Sequence, residues 1–386
     1  MRKYFEFFCP TKINCGKDAL KTIGAELEYL GATRPLILAS TNATRMGALD
    51  KVMAAFKGSA IKAGVICNNA PNRPDVNLLR EMKKQFEEAK CDGIIAVGGE
   101  GAMDAAKALK LFLSENCDDI LPLAGTSKKP EHDIPLVTVP TECGSGHETC
   151  GFLEVEDKFV ATPSIVPNVV VIDGKVSAIA PARVTAAGGV YALANAIEAY
   201  IGADEMAPVE IFAQKTVKLI FDHLLKVVKD EESEEDCLGI GLASALGGIA
   251  YGNVPYGAAH ALAEAMSDVA NEPVEEMTGI TLLSAINNMT DEQKEKLAGL
   301  LPYTCSREKL AEIPASEKAA RTIENIETLL SALREASGMP LKIRETKIQR
   351  ELFGVVSGAA QDKRAAISSV VPIGQEAFLK ILNDAY

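Results

Sequence analysis

The chain has 386 residues, of which 47% are hydrophobic, and its formal net charge at pH 7 is −13. This length is enough for two ordinary domains, each with its own hydrophobic core. The negative charge disfavours nucleic acid and anionic membrane surfaces as partners, since either would need a basic face, so we expect neither.

The first half of the chain alternates short apolar runs with amphipathic stretches, a pattern typical of strands and crossover helices in a parallel sheet. Three such runs are predicted to be buried strands, at residues 36–39, 94–97 and 136–139. Asp75 is predicted to cap a helix, because apolar residues follow it at spacings of three and four. Gly98 and Gly99 end the second run, and residues 102–113 after them are predicted to form a further helix.

From about Pro181 onward, alanine-rich and leucine-rich stretches with helical spacing dominate, and strand-like alternation disappears. We therefore predict an α/β domain over residues 1–180 and an all-helical domain over residues 181–386.

The cysteine pattern and the absence of targeting signals indicate a compartment. The nine cysteines are scattered and have no C-x-x-C spacing, which fits reduced thiols better than a disulfide framework or a zinc site. The N-terminus lacks the pattern of a signal peptide, and no run of about 18 apolar residues predicts a membrane span. We expect a cytoplasmic protein.

Two glycine-containing loops are candidate cofactor sites. Gly98 and Gly99 lie between a predicted strand and a predicted helix, where backbone N–H groups and the helix dipole can bind a pyrophosphate. The absence of side chains lets phosphate oxygens approach closely. Glu100 follows directly, and its carboxylate is electrostatically unfavourable beside a diphosphate unless the side chain turns outward to solvent.

The second loop, P-T-E-C-G-S-G-H-E at residues 140–148, combines hydroxyl groups with small residues. Thr141 and Ser145 can exchange hydrogen bonds with a cofactor, and Gly146 allows a ring to approach the backbone. His147 is expected either to face the active site or to be a solvent-facing or capping imidazole.

The segment from Gly189 to Tyr200, G-V-Y-A-L-A-N-A-I-E-A-Y, resembles the G-x-D-A-L-x-H-A-I-E-A-Y segment of the iron-containing (group III) alcohol dehydrogenases, a family with the dehydroquinate synthase-like fold. In that family the Asp and the His, one helical turn apart, bind a divalent cation. Tyr191 and Asn195 stand at these positions here. Because residues four apart share a helix face, both are expected to line the same cavity.

The two loops also resemble this family. Residues 98–104 are similar to its G-G-G-S-x-x-D motif, with Glu100 and Gly101 replacing the third glycine and the serine, and with Asp104 retained. Residues 140–148 are similar to its P-T-T-x-G-T-G-S-E loop. The resemblance implies a Rossmann-like dinucleotide-binding α/β domain, an all-α C-terminal domain and frequent dimerisation, so we expect a homodimer. It assigns eight candidate cofactor-binding residues: Ser40, Gly98, Gly99, Gly101, Asp104, Thr141, Ser145 and Gly146.

Ser40 bears on the choice of cofactor. NAD-preferring members often carry an Asp at the end of the first strand, and that carboxylate repels a 2′-phosphate. Ser40 aligns there, so the sequence favours NADP(H) over NAD(H). The alternative interpretation is that Ser40 or Thr41 caps the following helix.

The metal-binding positions are mostly replaced. His260 matches one ligand of the family, whereas Val274, or Glu275 if one residue is inserted, aligns with another. One imidazole and one amide cannot compete for iron or zinc with three imidazoles and a carboxylate, so we expect no metal of the usual kind. The alternative is a weak, oxygen-rich site formed by Asn195, His260 and Glu275.

Without a cation, reduction of a carbonyl group still needs a proton donor. Tyr191 is one candidate, because a phenol with a pKa of about 10 can act as a general acid when a nearby positive charge lowers that pKa. His260 is that neighbour or the acid itself, and Tyr256 is a third candidate. Alternatively, Tyr191 fills the volume left by the metal and His260 is a hydrogen-bonded core histidine.

Three functions follow from these interpretations. The first is a metal-independent, NAD(P)-dependent alcohol dehydrogenase or carbonyl reductase that acts on a small aldehyde, ketone or oxoacid, with Tyr191 and His260 as catalytic residues. The second is a non-catalytic nucleotide-binding member of the family. The third is a dehydrogenase with an atypical metal site.

Overall fold

The computed structural model describes residues 4–71, 73–117, 119, 132–156, 158–177, 180–203, 206–230, 233–254, 257–363, 366 and 373–386. They form two compact units. One unit spans Cys9–Ala180, and the other combines Pro181–Tyr386 with the N-terminal segment that ends at Phe8.

The Cys9–Ala180 unit is an α/β fold built on a parallel sheet. The strands of this sheet are β1 (Lys12–Cys15), β2 (Pro35–Ser40), β3 (Val65–Ala70), β4 (Gly93–Gly98), β5 (Leu136–Pro140) and β8 (Val169–Ile172). Their order across the sheet is β1-β8-β5-β4-β2-β3. A separate antiparallel hairpin consists of β6 (Phe152–Val155) and β7 (Lys158–Ala161). The helices of the unit are α1 (Ile23–Tyr29), α2 (Thr41–Arg45), α3 (Ala48–Ala55), α4 (Val76–Glu88) and α5 (Glu100–Ser114).

The central strands are buried on both faces, because each face packs against helices. Alternate strand residues belong to the core shared with α4 and α5, among them Leu36, Leu38, Ile94 and Ala96. The residues between them belong to the core shared with α1 and α3, among them Ile37, Ala39, Ile95 and Val97. The predicted strands and the helix after Gly99 are confirmed, and Asp75 caps α4 by accepting a hydrogen bond from the Leu78 amide at 2.9 Å.

The strand order defines a topological switch point. From β2 the chain moves outward to β3 and then returns to the other side of β2 as β4, so the connections diverge between β2 and β4. In open parallel sheets, ligands bind outside the carboxyl ends of the strands at such a point. Ser40 ends β2 and Gly98 ends β4, so the predicted phosphate loop lies at this point.

The other unit is helical, and no strand occurs among its described residues. Its helices are α6 (Ala182–Gly202), α7 (Ala207–Leu219), α8 (Leu225–Val228), α9 (Glu234–Gly252), α10 (Ala258–Ala270), α11 (Val274–Asn287), α12 (Asp291–Leu297), α13 (Arg307–Glu312), α14 (Lys318–Ser337), α15 (Phe353–Gln361) and α16 (Gln375–Ala385). Helix α6 is buried on all sides from Thr185 to Tyr200, with α7, α9 and α11 packed against it. Within the described part of the chain, no helix is both long and apolar enough to span a membrane.

The start of the chain packs with the helical unit. The Phe8 amide donates to Asn253 Oδ1 at 2.7 Å, and Asn253 Nδ2 donates to the Phe8 carbonyl at 2.9 Å. Phe7 stacks on Phe212 with ring centroids 5.7 Å apart. The segment before Cys9 therefore groups with the helical unit, whereas the sequence predicted it as part of the α/β domain. The division of the chain into functional domains stays a prediction.

Candidate functional site

Two glycines connect β4 to α5, and both are in close contact with side chains from neighbouring loops. Gly98 has a φ of 151°, in the region that favours glycine, and a Cβ atom there would lie 2.8 Å from Ser40 Oγ. A Cβ atom on Gly99 would overlap the carboxylate of Glu142 and lie 2.9 Å from its Cδ. Larger residues at 98 and 99 would displace both side chains.

Ser40 caps a helix. Its Oγ accepts a hydrogen bond from the Ala43 amide at 3.1 Å, which makes Ser40 the N-cap of α2. The capping interpretation is therefore confirmed for Ser40. Its contact with a cofactor ribose, and the preference for NADP(H), stay predictions.

Glu142 lies at the switch point and was not singled out in the sequence. It follows Thr141, whose amide donates to the Gly98 carbonyl at 3.1 Å and extends the pairing of β4 with β5. Burial raises the pKa of the Glu142 carboxyl, and a hydrogen bond from the side chain of Asn42 acts in the opposite direction. The sequence could have identified Glu142, because this residue replaces the second threonine of the family's P-T-T-x-G-T-G-S-E loop.

Asp104 is buried at the first turns of α5, and protein groups satisfy both of its carboxylate oxygens. Oδ1 lies 2.6 Å from His147 Nδ1 and 3.1 Å from Lys107 Nζ, and Oδ2 accepts from the Glu154 amide at 2.8 Å. Burial acts to raise the pKa of Asp104, but His147, Lys107 and the Glu154 amide outweigh it and lower that pKa. This use of the carboxylate is structural, and direct contact of Asp104 with a cofactor stays a prediction.

The expectations for His147 and Glu100 need correction. His147 is only 5% exposed, because it bonds to Asp104 and its ring packs edge-on against Phe152 at 4.9 Å between centroids. It is therefore not a solvent-facing imidazole, and burial lowers its pKa. Glu100 is not turned fully outward either, since its Oε2 lies 3.9 Å from His147 Nε2.

Glu100, Asp104 and His147 also form the one group of three His, Cys, Asp or Glu side chains, among the residues described, whose potential ligand atoms lie within 4.8 Å of one another. A metal ion is disfavoured there. The fully buried Lys107 ammonium already supplies a positive charge 3.1 Å from the Asp104 carboxylate, and it would repel a second cation.

The remaining candidate cofactor residues lie on the same two loops. Ser145 Oγ accepts from the His147 amide at 3.3 Å, and the Gly146 carbonyl accepts from the Thr149 amide at 3.1 Å. Gly146 has a φ of 72°, which glycine adopts without strain. Thr141 and Gly101 are buried at the end of β5 and in the first turn of α5. Their roles as cofactor ligands stay predictions.

In the helical unit, Glu198 on α6 holds His260 on α10. Glu198 Oε2 lies 2.5 Å from His260 Nδ1, and Oε1 accepts from the Ala259 amide at 2.8 Å. A Cβ atom on Gly257 would overlap the same carboxylate, so glycine lets Glu198 reach the start of α10. With Nδ1 donating to Glu198, a neutral imidazole has its acceptor at Nε2.

Tyrosine rings flank His260 on two sides. The Tyr191 ring meets it edge-on with centroids 4.9 Å apart, and the Tyr251 ring is tilted against it at 4.8 Å. His260 is fully buried and both tyrosines are nearly so. The structure thus brings together the two predicted catalytic residues, Tyr191 and His260, whereas the third candidate donor, Tyr256, lies outside the described residues.

Two neighbours of His260 were missed from the sequence. Glu198 lies three residues after Asn195 and seven after Tyr191, so helical spacing alone puts these side chains on one side of α6. Tyr251 ends the buried part of α9, and no local pattern distinguishes it from an ordinary core tyrosine.

The side chains at the family's metal-ligand positions do not suit iron or zinc. Asn195 is fully buried on α6, and Glu275 is half-buried in the first turn of α11. A phenol, an amide and one imidazole replace a set dominated by imidazole, and the phenol ring packs directly against that imidazole.

Comparisons with known proteins agree on one family. Residues 10–174 match the family model described as iron-containing alcohol dehydrogenase, and residues 185–386 match the model for the C-terminal part of the Fe-containing alcohol dehydrogenase family. The chain is 30% identical over 277 residues to a choline dehydrogenase of Bacillus subtilis, covering 70% of this chain and 69% of that protein. It is 25% identical over 361 residues to an NAD-dependent methanol dehydrogenase of Bacillus methanolicus, covering 92% and 88% of the two chains.

The fold is also that of a solved structure. The crystal structure of a 1,3-propanediol oxidoreductase superposes with a TM-score of 0.89 over 100% of both chains, at 21% sequence identity. At this identity the likeness establishes the α/β and helical architecture.

Proposed function

The chain belongs to the iron-containing alcohol dehydrogenase family, and from that premise we propose that it is an oxidoreductase that transfers a hydride between NAD(P)H and a small aldehyde, ketone or oxoacid without the family's usual metal. The observation that carries the proposal is the buried pair of His260 and Glu198, packed against Tyr191 at positions where the family has metal ligands.

A dinucleotide cofactor is supported by the site at the switch point. Gly98 and Gly99 lead into α5, a helix of 15 residues whose first backbone N–H groups and dipole favour an anion. One relative is named as NAD-dependent, and family members use NAD or NADP. Ser40 in place of a carboxylate supports NADP(H) as the preferred cofactor.

The proton that the carbonyl oxygen requires comes from the His260 site in this proposal. Glu198 orients the imidazole through Nδ1, as a carboxylate does in other histidine pairs. Tyr191 packs against this ring and is the proposed donor to the substrate oxygen, with His260 as the group that supplies its proton. The chemistry that a bound cation would supply, polarisation of the substrate oxygen, is here assigned to hydrogen bonds.

The donor set at the former ligand positions supports a metal-independent reaction. A weak site of Asn195, His260 and Glu275 is the competing possibility, and it would favour a hard cation. Chelation separates the two, because only the second loses activity when its ion is removed.

The direct test uses purified protein dialysed against a chelator and then analysed for metal content. We expect it to oxidise NADPH, and NADH more slowly, with at least one member of a panel of small aldehydes, ketones and oxoacids. Activity that disappears on chelation and returns with iron or zinc would contradict the metal-independent mechanism. Failure with every carbonyl compound and both cofactors would contradict the oxidoreductase proposal.

The second candidate function is a non-catalytic nucleotide-binding protein. Full burial of His260 between two tyrosine rings favours it, since this is also the setting of a core histidine. It predicts that NADPH or NADH raises the melting temperature while no carbonyl compound is turned over. For both functions, we predict a cytoplasmic location and a homodimer.

A further inference from the structure

Glu142 has no part in the hydride-transfer proposal, yet its carboxylate lies on the loop that should receive the cofactor phosphates. We propose that Glu142 is an intramolecular anion that competes with the diphosphate of the dinucleotide for the Gly99 loop, so that its side chain must turn away before the cofactor binds. This inference rests on the proposed dinucleotide-dependent function and adds a residue that determines affinity for phosphorylated ligands.

The position of Glu142 follows from strand pairing. Gly98 pairs with Pro140 in the ladder of β4 and β5, and the Thr141 amide extends this pairing by donating to the Gly98 carbonyl at 3.1 Å. Gly99 directly follows Gly98 after β4, and Glu142 directly follows Thr141 after β5, so the two residues lie side by side. A Cβ atom on Gly99 would overlap the Glu142 carboxylate, so the carboxylate is in direct contact with the Gly99 backbone.

The Gly99 loop is suited to an anion. Gly99 is the N-cap of α5 and has no side chain with which to satisfy the first N–H groups of the helix. These groups and the positive end of the helix dipole attract negative charge. Glu142 brings a carboxylate to this end of the helix, and the side chain of Asn42, in the first turn of α2, donates a hydrogen bond to it.

A carboxylate and a diphosphate cannot share this position. They would occupy the same volume, and at contact distance in a partly buried site their charges repel strongly. The main-chain bond between Thr141 and Gly98 holds the backbone in place, so the loop is cleared by rotation of the Glu142 side chain in this proposal. Cofactor binding then replaces one anion by another, and affinity is lower than for a neutral side chain at residue 142.

The test measures the dissociation constants of NADPH, ADP-ribose and adenosine by calorimetry at one fixed pH. The proteins are the parent chain, Glu142→Gln and Glu142→Thr, with Glu87→Gln as a control that removes the same charge from an exposed position on α4. We expect both Glu142 variants to bind NADPH and ADP-ribose at least about tenfold more tightly, equivalent to about 1.4 kcal/mol. Adenosine, which has no phosphate, and the Glu87→Gln control should show no such change.

The outcomes separate this inference from the proposed function. Equal or weaker binding of NADPH by both Glu142 variants, with the parent chain binding it, overturns the role of Glu142 and leaves the oxidoreductase proposal intact. If the Glu142 variants bind NADPH and the parent chain does not, Glu142 blocks the cofactor site completely, which supports the proposal. If no protein in the series binds NADPH or ADP-ribose, both the dinucleotide-dependent function and this inference are wrong.

Discussion

Each unit of the molecule contains a buried histidine bonded through Nδ1 to a buried carboxylate, and the two pairs differ in what surrounds them. His147 bonds to Asp104 at 2.6 Å, and His260 bonds to Glu198 at 2.5 Å. Lys107 neutralises the first carboxylate at 3.1 Å, whereas the ring of His260 is enclosed by tyrosines. A histidine–carboxylate pair is therefore part of a charged, fully bonded cluster in one unit and of the proposed catalytic site in the other.

The difference lies in where a proton can go. Asp104 already receives a full positive charge from Lys107, and burial keeps His147 neutral by lowering its pKa, so this pair links α5 to the following loop and hairpin. Glu198 accepts hydrogen bonds from a backbone amide and from the imidazole of His260. The neighbouring ring of Tyr191 bears a phenol hydroxyl. In the proposed mechanism this arrangement passes a proton to a substrate, whereas the ring of His147 lies beside the Phe152 ring and the Glu100 carboxylate.

The largest expected effect is on catalysis. His260→Gln keeps a donor for Glu198 but removes the imidazole that is proposed to supply the proton, so we expect kcat to fall by about a thousandfold while the dissociation constant for NADPH changes little. The matched substitution His147→Gln should mainly lower stability and reduce kcat much less. Steady-state kinetics with the best carbonyl substrate make the measurement, and equal losses of kcat in the two variants would show that the two pairs do not differ in function.

Lys107→Met tests the structural pair. The substitution leaves Asp104 buried without its cation, which should reduce the free energy of unfolding by about 3–5 kcal/mol. Denaturant unfolding of the variant and of Lys107→Met combined with Asp104→Asn makes the measurement. The double variant should recover part of the loss, because it no longer buries an unpaired charge. No recovery would mean that packing of the lysine stem, and not its charge, provides the stabilisation.

Tyr191→Phe separates the two tyrosines around His260. The variant keeps the ring and removes the hydroxyl, so we expect kcat to fall by about a hundredfold with little change in melting temperature. Tyr251→Phe is the matched control, because Tyr251 contacts the same imidazole from α9 and has no proposed role in proton transfer. If Tyr191→Phe retains the parent kcat, Tyr191 only fills space and His260 is the acid.

Local features of the fold could be predicted from the sequence, and long-range ones could not. The strand ending at Gly98 and the cap at Asp75 depend on neighbouring residues, so apolar runs and glycine sufficed. The contact of Glu142 with Gly99 depends on β5 lying beside β4 in one register, which periodicity does not reveal. The pairing of Lys107 with Asp104, one helical turn away, could have been predicted from helical spacing. The bonds of the Asp104 carboxylate to His147 and to the Glu154 amide could not, because they depend on tertiary packing.

The same limit applies to the candidate catalytic site. The helical spacing of Tyr191 and Asn195 predicted a shared face of α6, and Glu198 lies on that side as well. That Glu198 would bond to a histidine 62 residues away depends on the start of α10, near Gly257, lying within reach of the Glu198 side chain. A sequence motif can identify such a residue, but only the tertiary arrangement shows which partner it holds.

The smallest expected effect is the pH dependence of stability, which tests the environment of His147 without an activity assay. Burial lowers the pKa of His147 in the folded protein, so below an unfolded value of about 6.5 the unfolded chain binds a proton that the folded chain resists. Stability contributed by neutral His147 is therefore present above about pH 6.5 and is lost as the pH falls, by at most about 1.4 kcal/mol per pH unit for one proton. Asp104, whose folded pKa is lowered, adds a loss only below about pH 4. Denaturant unfolding at pH 7 and pH 5 should show a smaller loss for His147→Gln than for the parent chain, and equal losses would assign the titration to another group.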